Sequence, residues 1–298
     1  HNNYRTYILV HEGPSPDRIA YGAWNQKVHD NLIWVERVLG PALGRAIRAM
    51  GEMPVLPIIA QSLTMGDECH NRPTAGSALW TCRILPWIIR TSEDSETVAR
   101  IAEFLTETDH FFFHFGMCYG KAAADACMGI EYSTIVTAMA RNGIQVGLRV
   151  AGLPGAWFTG PAAEIQGVYY PGFGPENANH DIGDSAITET VGLGGFAMAA
   201  SVPMCRAVGG NAADAVNYVR QMDEISEGKH TQFQIPMLDF EGTPLGIDIR
   251  KVVRSGILPI ICTAIANKTG GQIGVGLARP PMEAFEKALR AFSEKYKQ

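Results

Sequence analysis

Apolar residues recur at helical spacing through most of the first 130 residues. Between Val28 and Met50 they fall three or four positions apart, which predicts a helix. Gly40-Pro41 must kink or divide this helix, because proline has no N–H to donate. The same spacing predicts further helices over residues 57–65, 74–89, 95–105 and 114–126. Tyr4–Val10 is rich in β-branched and aromatic residues and predicts a strand instead.

The pattern changes near residue 131, where strand-like segments replace helical spacing. Strands predicted over residues 133–140 and 144–150 flank Asn142-Gly143, the strongest short-range signal for a hairpin. In that hairpin Arg149 projects over small residues of the facing strand, which leaves room for a ligand or a partner carboxylate. Arg141 lies at the mouth of the turn. Arg141, Asn142 and Arg149 are therefore candidates for binding an anion.

The rest of the chain alternates between helices and hairpins. An amphipathic helix with Asn211 as its N-cap is predicted over residues 211–227, and a last helix begins at Pro281. Strands are predicted over residues 232–235, 257–264 and 272–278, and over residues 237–249 with an interruption at residues 241–244. This order predicts an α+β protein, with a mostly helical region over residues 1–130. Residues 131–298 are expected to form an α+β domain that carries a polar, glycine-rich segment.

That segment, Asn177–Gly195, reads NANHDIGDSAITETVGLGG and leads directly into an apolar run. Buried carboxyl and hydroxyl groups cost free energy unless each has a partner, so the segment is more typical of a site than of a surface loop. Its candidate side chains are Asp181, Asp184, Ser185, Glu189 and Thr190. The N–H groups of Gly192, Gly194 and Gly195 are candidates for an anion-binding nest. The alternative is a tight turn where two elements pack closely.

A second polar run, GDECHNR at residues 66–72, lies between two apolar segments. Its neighbouring cysteine and histidine are poor evidence for a catalytic pair, because adjacent side chains in a strand point apart. Two interpretations remain open. The run either binds a ligand through His70, Asn71 and Arg72, or forms a polar junction in which Asp67 or Asn71 caps a helix.

Composition excludes several classes of function. With 298 residues, a net charge of −5 and no basic cluster, the chain lacks the electrostatic pattern of a nucleic-acid binder. No apolar run approaches the roughly 20 residues of a bilayer span, so we expect no membrane segment. Six cysteines without a C-x-x-C pair indicate reduced thiols in a cytoplasmic protein. His110 and His114 share a helical face but lack a third ligand, so we expect no metal and no other cofactor.

Eight runs of sequence resemble a known bacterial family and together span nearly all of Gln61–Leu289. They are GDECHNR, TDHFF, STIVTAMARNG, YYPGFGPENAN, DIGDSAITETVGLGGFAMAA, LDFEGTPLGIDIRKVV, GILPIICTAIA and GQIGVGLARPPMEAFEKAL. On these runs the chain is similar to an uncharacterised-domain family that includes the large subunit of oxamate carbamoyltransferase, from anaerobic allantoin and oxalurate breakdown. The resemblance implies an additional N-terminal nucleotide-fold-like domain in family members, and we expect it to be missing from this sequence. We therefore expect either a fragment or a separate polypeptide.

The resemblance implies a transferase subunit of purine catabolism that moves a carbamoyl group between oxamate, or a related ureido acid, and phosphate. Two anions and a developing oxyanion require cations and N–H donors more than a covalent nucleophile or a metal. We expect Arg72, Arg141, Arg149 and the glycines to hold phosphate and the substrate carboxylate. His70 or Glu189 would carry the proton of the departing nitrogen, and Asp181 and Asp184 would orient arginines or cap a helix.

Two other functions fit the same residues. A hydrolase of an amide or ureido compound would use water in place of phosphate. A non-catalytic scaffold would use the polar segment to join subunits in a multi-subunit complex. In each case we expect other protein subunits as partners and an oligomeric state.

Overall fold

The computed structural model describes residues 4–92 and 94–297, and within them the chain forms ten α-helices and nine strands. The helices are α1 (Gln26–Trp34), α2 (Gly40–Met50), α3 (Leu56–Thr64), α4 (Thr74–Thr91), α5 (Ser95–Glu107), α6 (Phe113–Asp125), α7 (Val202–Ala207), α8 (Ala212–Glu224), α9 (Ile249–Ser255) and α10 (Met282–Tyr296). The strands are β1 (Val136–Asn142), β2 (Gln145–Val150), β3 (Phe158–Pro161), β4 (Gln166–Tyr169), β5 (Ile182–Gly183), β6 (Ser226–Ile235), β7 (Glu241–Ile247), β8 (Ile261–Ala266) and β9 (Gln272–Ala278). Helices come first and small antiparallel sheets follow, so the predicted α+β class is confirmed. The division into domains near residue 130 stays a prediction.

The helix predicted around Gly40-Pro41 is not divided: the backbone stays helical from residue 26 to residue 50 and is made irregular only just before Gly40. Between α1 and α2 the chain makes a π-helical turn, Val35–Leu39, after which the Gly40 N–H donates to the Val35 carbonyl. Pro41 follows this π-helical turn directly, so the irregularity lies where proline cannot donate to the regular helical pattern. The helices pack around Trp80 and Phe112, each 1% exposed. Burial of side chains of this size contributes roughly 1.5–3 kcal/mol each.

The strands form three antiparallel sheets within the described residues. Their orders are β3-β2-β1-β5, β4-β9-β8 and β6-β7. The predicted hairpin at Asn142-Gly143 is confirmed: Asn142 Oδ1 accepts hydrogen bonds from the N–H groups of Ile144 and Gln145, and Gly143 has a φ of +80°. The register places Ala138 opposite Arg149 and Ala140 opposite Gly147.

The polar central segment lies between two apolar cores. One core joins the helices of the first half and also contains Val191 and Leu193. The other lies between the four-stranded sheet, α9 and α10, and it contains Ala186 and Phe196. Because its apolar residues are shared between both cores, the polar residues of the segment are carried into the interior with them.

Two predicted elements are wrong. Tyr4–Val10 is extended but pairs with no strand among the described residues. It crosses α6 instead, with Thr6 Oγ1 donating to the Cys118 carbonyl and His114 Nδ1 donating to the Leu9 carbonyl. The strand predicted over residues 237–249 begins only at Glu241, after a 3₁₀ turn at Pro236–Leu238, and includes residues 241–244, where an interruption was predicted. It ends at Ile247, because Asp248 caps a helix, α9, through the N–H of Arg250. No described helix combines the length and apolar character needed to cross a membrane.

Candidate functional site

His70 and Glu189 form a buried pair at the centre of the molecule. His70 Nδ1 lies 2.7 Å from Glu189 Oε1, and the side chains are 3% and 0% exposed. The Thr188 hydroxyl lies 3.0 Å from the same nitrogen and donates to Glu189 Oε2 at 3.0 Å. The N–H groups of Gly195 and Cys262 also donate to Glu189 Oε1, at 3.3 and 3.0 Å. Glu189 therefore fixes the His70 ring through Nδ1 and leaves Nε2 without a partner among the described residues.

The GDECHNR run forms a polar junction as well as carrying His70. Asp67 accepts a hydrogen bond from the Gly76 N–H in the first turn of α4 at 2.8 Å, and it pairs with Arg72 Nη1 at 2.8 Å. Arg72 also donates to the Gly66 carbonyl. Burial raises the pKa of Asp67 to about 6, against the opposing effect of its hydrogen bonds and of Arg72. The capping predicted for Asp67 is therefore present, and Arg72 is held by its own segment.

Glu68 lies behind His70 and is wholly buried. Its carboxyl group accepts hydrogen bonds from the backbone N–H groups of His70 and Arg72, at 3.1 and 2.6 Å. Its carbonyl accepts from the Gly194 N–H at 2.7 Å, which joins this run to the central segment. Burial outweighs these hydrogen bonds and raises the pKa of Glu68 to about 7.

The raised pKa of Glu68 predicts a stability that falls as the pH rises. Between about pH 4.5, the ordinary value, and about pH 7, the unfolded chain loses this proton while the folded chain retains it. The free energy of unfolding therefore falls across this range, by about 3 kcal/mol in total once the pH exceeds 7. We expect the free energy of unfolding of Glu68→Gln to lack this component when urea denaturation is measured from pH 4.5 to 8. Exposed Glu107→Gln is the control, and an identical pH profile for both variants would contradict the prediction.

Arg141 and Asp181 form a second buried pair, with side chains 0% and 1% exposed. Arg141 Nε and Nη2 donate to the two carboxylate oxygens at 2.8 and 3.2 Å. Thr263 Oγ1 donates to Asp181 at 2.9 Å, and Arg141 Nη1 donates to the Gly183 carbonyl at 2.9 Å. Asp181 thus orients Arg141 as predicted, but the guanidinium is neutralised by this pairing and does not line a described cavity.

A cavity of about 720 Å³ lies beside His70. Of the predicted site residues, His70, Asn71, Asp184 and Ser185 line it. Its other walls come from the extended segment over residues 7–16, the start of α6 and strands β8 and β9. The Asn71 amide donates to the Thr263 carbonyl at 3.2 Å, so its position on the wall is fixed. This volume is in the range of small-molecule sites.

Arg18 is the cavity residue that sequence reasoning missed. Its Nη1 donates to His11 Nε2 at 2.7 Å, its Nη2 donates to Gln272 Oε1 at 3.2 Å, and its guanidinium lies 4.8 Å from the Tyr21 ring centre. Burial, with the Arg18 charge, lowers the pKa of His11 to about 2, so His11 is neutral. Arg18 forms no salt bridge to a described carboxylate, and it is the one arginine or lysine in the described lining, which also contains Glu12, Asp109 and Asp184. Its one signal in the sequence was a lone arginine after a proline-rich turn.

The glycine cluster serves close packing. Gly192 and Gly194 have φ values of +84° and +60°, which side-chain-bearing residues rarely adopt. A Cβ on Gly194 would overlap Glu189 Oε1, and one on Gly195 would overlap the Ile260 carbonyl. The N–H groups of all three glycines donate to the chain itself, at Glu68 or Glu189. This is the geometry of the tight turn, and these donors are not free for an external anion.

The remaining predicted residues lie away from the cavity beside His70. Thr190 is 5% exposed, and its hydroxyl donates to the Ile187 carbonyl within its own turn. Asn142 caps the hairpin turn. Arg149 lines a second cavity, of about 460 Å³, on the other side of Asp184. The structure therefore does not bring Arg149 together with His70.

The structure is that of an α+β protein with a cavity of small-molecule size beside a buried histidine–glutamate pair. A family described as oxamate carbamoyltransferase subunit AllG matches residues 1–185. AllG of Escherichia coli K12 is 44% identical over 294 residues, which cover 97% of this chain and 70% of AllG. The chain belongs to the AllG family, and the resemblance predicted from its sequence is confirmed.

Two further relatives extend the comparison. The uncharacterised protein YahG of Escherichia coli K12 is 48% identical over 280 residues, covering 93% of this chain and 59% of YahG. A crystal structure of a conserved protein of unknown function from Enterococcus faecalis V583 superposes with a TM-score of 0.91 at 44% identity. That match covers 94% of this chain and 68% of the Enterococcus chain. The chain thus spans between 59% and 70% of the length of these relatives.

Proposed function

We propose that this chain is a subunit of an oxamate carbamoyltransferase and carries the carbamoyl-transfer site in the cavity beside His70. The substrates would be oxalurate, or a related small ureido acid, and phosphate, and other protein subunits would complete the enzyme. One observation carries the proposal: a histidine fixed by a buried carboxylate lies on the wall of a small-molecule cavity that also holds an arginine without a carboxylate partner. The family membership supports the same reaction class.

In the proposed reaction a phosphate oxygen attacks the carbamoyl carbon of oxalurate, and the bond from that carbon to the oxamate nitrogen breaks. The products are carbamoyl phosphate and oxamate. The departing nitrogen must gain a proton, and monohydrogen phosphate must lose one. His70 Nε2 would carry this proton from phosphate to nitrogen, because Nδ1 is held by Glu189. Glu189 acts through the ring as a positioning residue, since it lies behind His70.

Arg18 is the proposed partner of the anionic groups. Guanidinium groups bind carboxylate and phosphate through paired, charge-assisted hydrogen bonds. Its contacts with His11, Gln272 and Tyr21 hold it in place without neutralising its charge. Asn71 and Ser185, which line the same cavity, are the proposed polar contacts to the carbamoyl group and the ureido acid.

The reaction is tested on the purified complex that contains this chain. Oxalurate and phosphate are expected to give carbamoyl phosphate, detected by ³¹P NMR, and no product is expected without phosphate. Ammonia released from oxalurate in the absence of phosphate would support a hydrolase instead. Failure to form carbamoyl phosphate with every combination of subunits would contradict the proposal.

Replacing Arg18 separates binding from chemistry. A lost charge-assisted hydrogen bond costs about 1.5–3 kcal/mol, so Arg18→Met is expected to raise the KM of oxalurate or phosphate about 10- to 100-fold. A smaller effect is expected on kcat, because Arg18 does not transfer a proton in the proposed reaction. Initial rates over a range of both substrates measure this. Arg206→Met, an exposed arginine on α7, is the control. Unchanged KM values for both substrates in Arg18→Met would show that Arg18 does not bind either substrate.

A further inference from the structure

The second cavity has the composition of a binding site for a different kind of anion. It is bounded by α6, by the β1–β2 hairpin and by the extended segment over residues 5–8. Its apolar lining includes Met117, Met139, Trp157 and Ile187. It shares Tyr7, Ile8, Met117 and Asp184 with the cavity beside His70, so the two cavities are neighbours with a common wall.

The space in this cavity is produced by small residues of the hairpin. Ala138 and Ala140 lie on its wall, opposite Arg149 and Gly147 in the register of β1 and β2. Trp157 lies on Gly147, where a Cβ would come within 3.0 Å of its ring. Larger side chains at these positions would fill the volume. The hairpin therefore presents the Arg149 guanidinium over an open apolar floor, beside the indole of Trp157, which precedes β3.

Arg149 pairs with no carboxylate and has no hydrogen-bond partner among the residues that the structure describes. Its Nε is buried and has no hydrogen-bond partner in the described part of the chain, and its guanidinium lies 5.7 Å from the Trp157 ring centre. The other cations of this cavity are Arg5, which is exposed, and Lys121, which is already paired with Asp125. Asp184 is the acidic residue of the lining, is exposed, and forms no salt bridge with Arg149. The Nη groups of Arg149 also make no hydrogen bond to a described residue, and unlike Nε they are not buried, so a carboxylate in the cavity can pair with them.

From this geometry we infer that the second cavity binds a small monocarboxylate with an apolar body. The carboxylate pairs with the Arg149 guanidinium, and the apolar body lies on Trp157 and the two alanines. Inorganic phosphate suits this cavity poorly, because the apolar walls would desolvate a dianion while offering it few donors. The inference goes beyond carbamoyl transfer, since binding here requires neither phosphate nor a ureido acid.

Benzoate is the probe for this site, and calorimetric titration of the full chain is the measurement. We expect saturable binding of benzoate, with uncharged benzamide at least 10-fold weaker. Arg149→Met is expected to weaken benzoate binding at least 10-fold, since it removes a charge-assisted pair. The matched control Arg254→Met, an exposed arginine on α9, should bind within about twofold of the unaltered chain. Ala140→Leu, which keeps the charge but fills the floor, should also abolish binding.

Four results would overturn the inference, of which the first three concern this cavity alone. They are absence of saturable benzoate binding, equal affinity in Arg149→Met, and tighter binding of phosphate than of benzoate at this site. Equal loss of binding in Arg18→Met and Arg149→Met would place benzoate in the cavity beside His70 and would overturn it too. Circular dichroism of each variant verifies folding. None of these results depends on carbamoyl transfer, so the two proposals fail separately.

Discussion

His70→Gln is expected to lower kcat for carbamoyl transfer by about 10²- to 10⁴-fold, the usual contribution of a positioned acid–base group. Glutamine keeps a polar group of similar length but cannot take up and release a proton. KM values are expected to change little, because the proposed anion contacts come from Arg18. Initial rates of carbamoyl phosphate formation by the purified complex measure both constants.

The control for His70→Gln is His29→Gln, an exposed histidine beside Asp30 on α1. It should leave both constants unchanged. Glu189→Gln provides a second variant, because it disturbs the orientation of the ring without removing it. We expect a loss of about 10- to 100-fold in kcat, as for other residues that hold a functional histidine from behind. A His70→Gln enzyme with normal kcat would exclude proton transfer by this histidine, whatever the reaction proves to be.

Arg141→Met is expected to destabilise the fold by about 3–5 kcal/mol, because it leaves the Asp181 carboxylate buried and unpaired. The size of the effect comes from the burial of both partners rather than from their attraction alone. Urea denaturation followed by circular dichroism gives the free energy of unfolding. The double variant Arg141→Met/Asp181→Leu should recover most of the loss, because it removes the isolated charge as well.

Arg220→Met is the matched control for Arg141→Met. Arg220 pairs with Glu241 and Asp223, but its side chain is 46% exposed, so water replaces the lost contacts. We therefore expect Arg220→Met to lower the free energy of unfolding by only a small fraction of the loss in Arg141→Met. Equal stability of Arg141→Met and Arg220→Met would show that the buried pair does not stabilise the fold. That result would favour the earlier prediction that Arg141 binds an anion.

Local signals in the sequence predicted most of the elements. Asn142-Gly143 specified the hairpin because the asparagine side chain and the left-handed glycine form the turn without help from the rest of the chain. Asn211 was correctly predicted to cap α8 for the same reason. The strand predicted over Tyr4–Val10 was wrong because a strand also needs a neighbouring strand. The residue pattern of a segment does not indicate whether such a neighbour is present.

The site was only partly predictable, because polar runs identify residues but not their partners. His70 and Glu189 each lay in a predicted polar run, yet nothing in the sequence joined two residues 119 positions apart. Arg141 and Asp181 were both nominated for ligand binding, and the fold uses each to neutralise the other. Arg18 had no local signal beyond its charge, since its place in the cavity depends on His11 and Gln272.

The contacts of Glu189 also constrain the order of folding. Its one carboxylate joins the loop before α4, the central turns and the first residues of β8, which are remote from one another along the chain. Long-range contacts of this kind form late, because extensive loop closure must come first. During refolding from urea we therefore expect helical circular dichroism to return well before catalytic competence. A polypeptide truncated before β8 should contain helices and yet lack an ordered His70 ring.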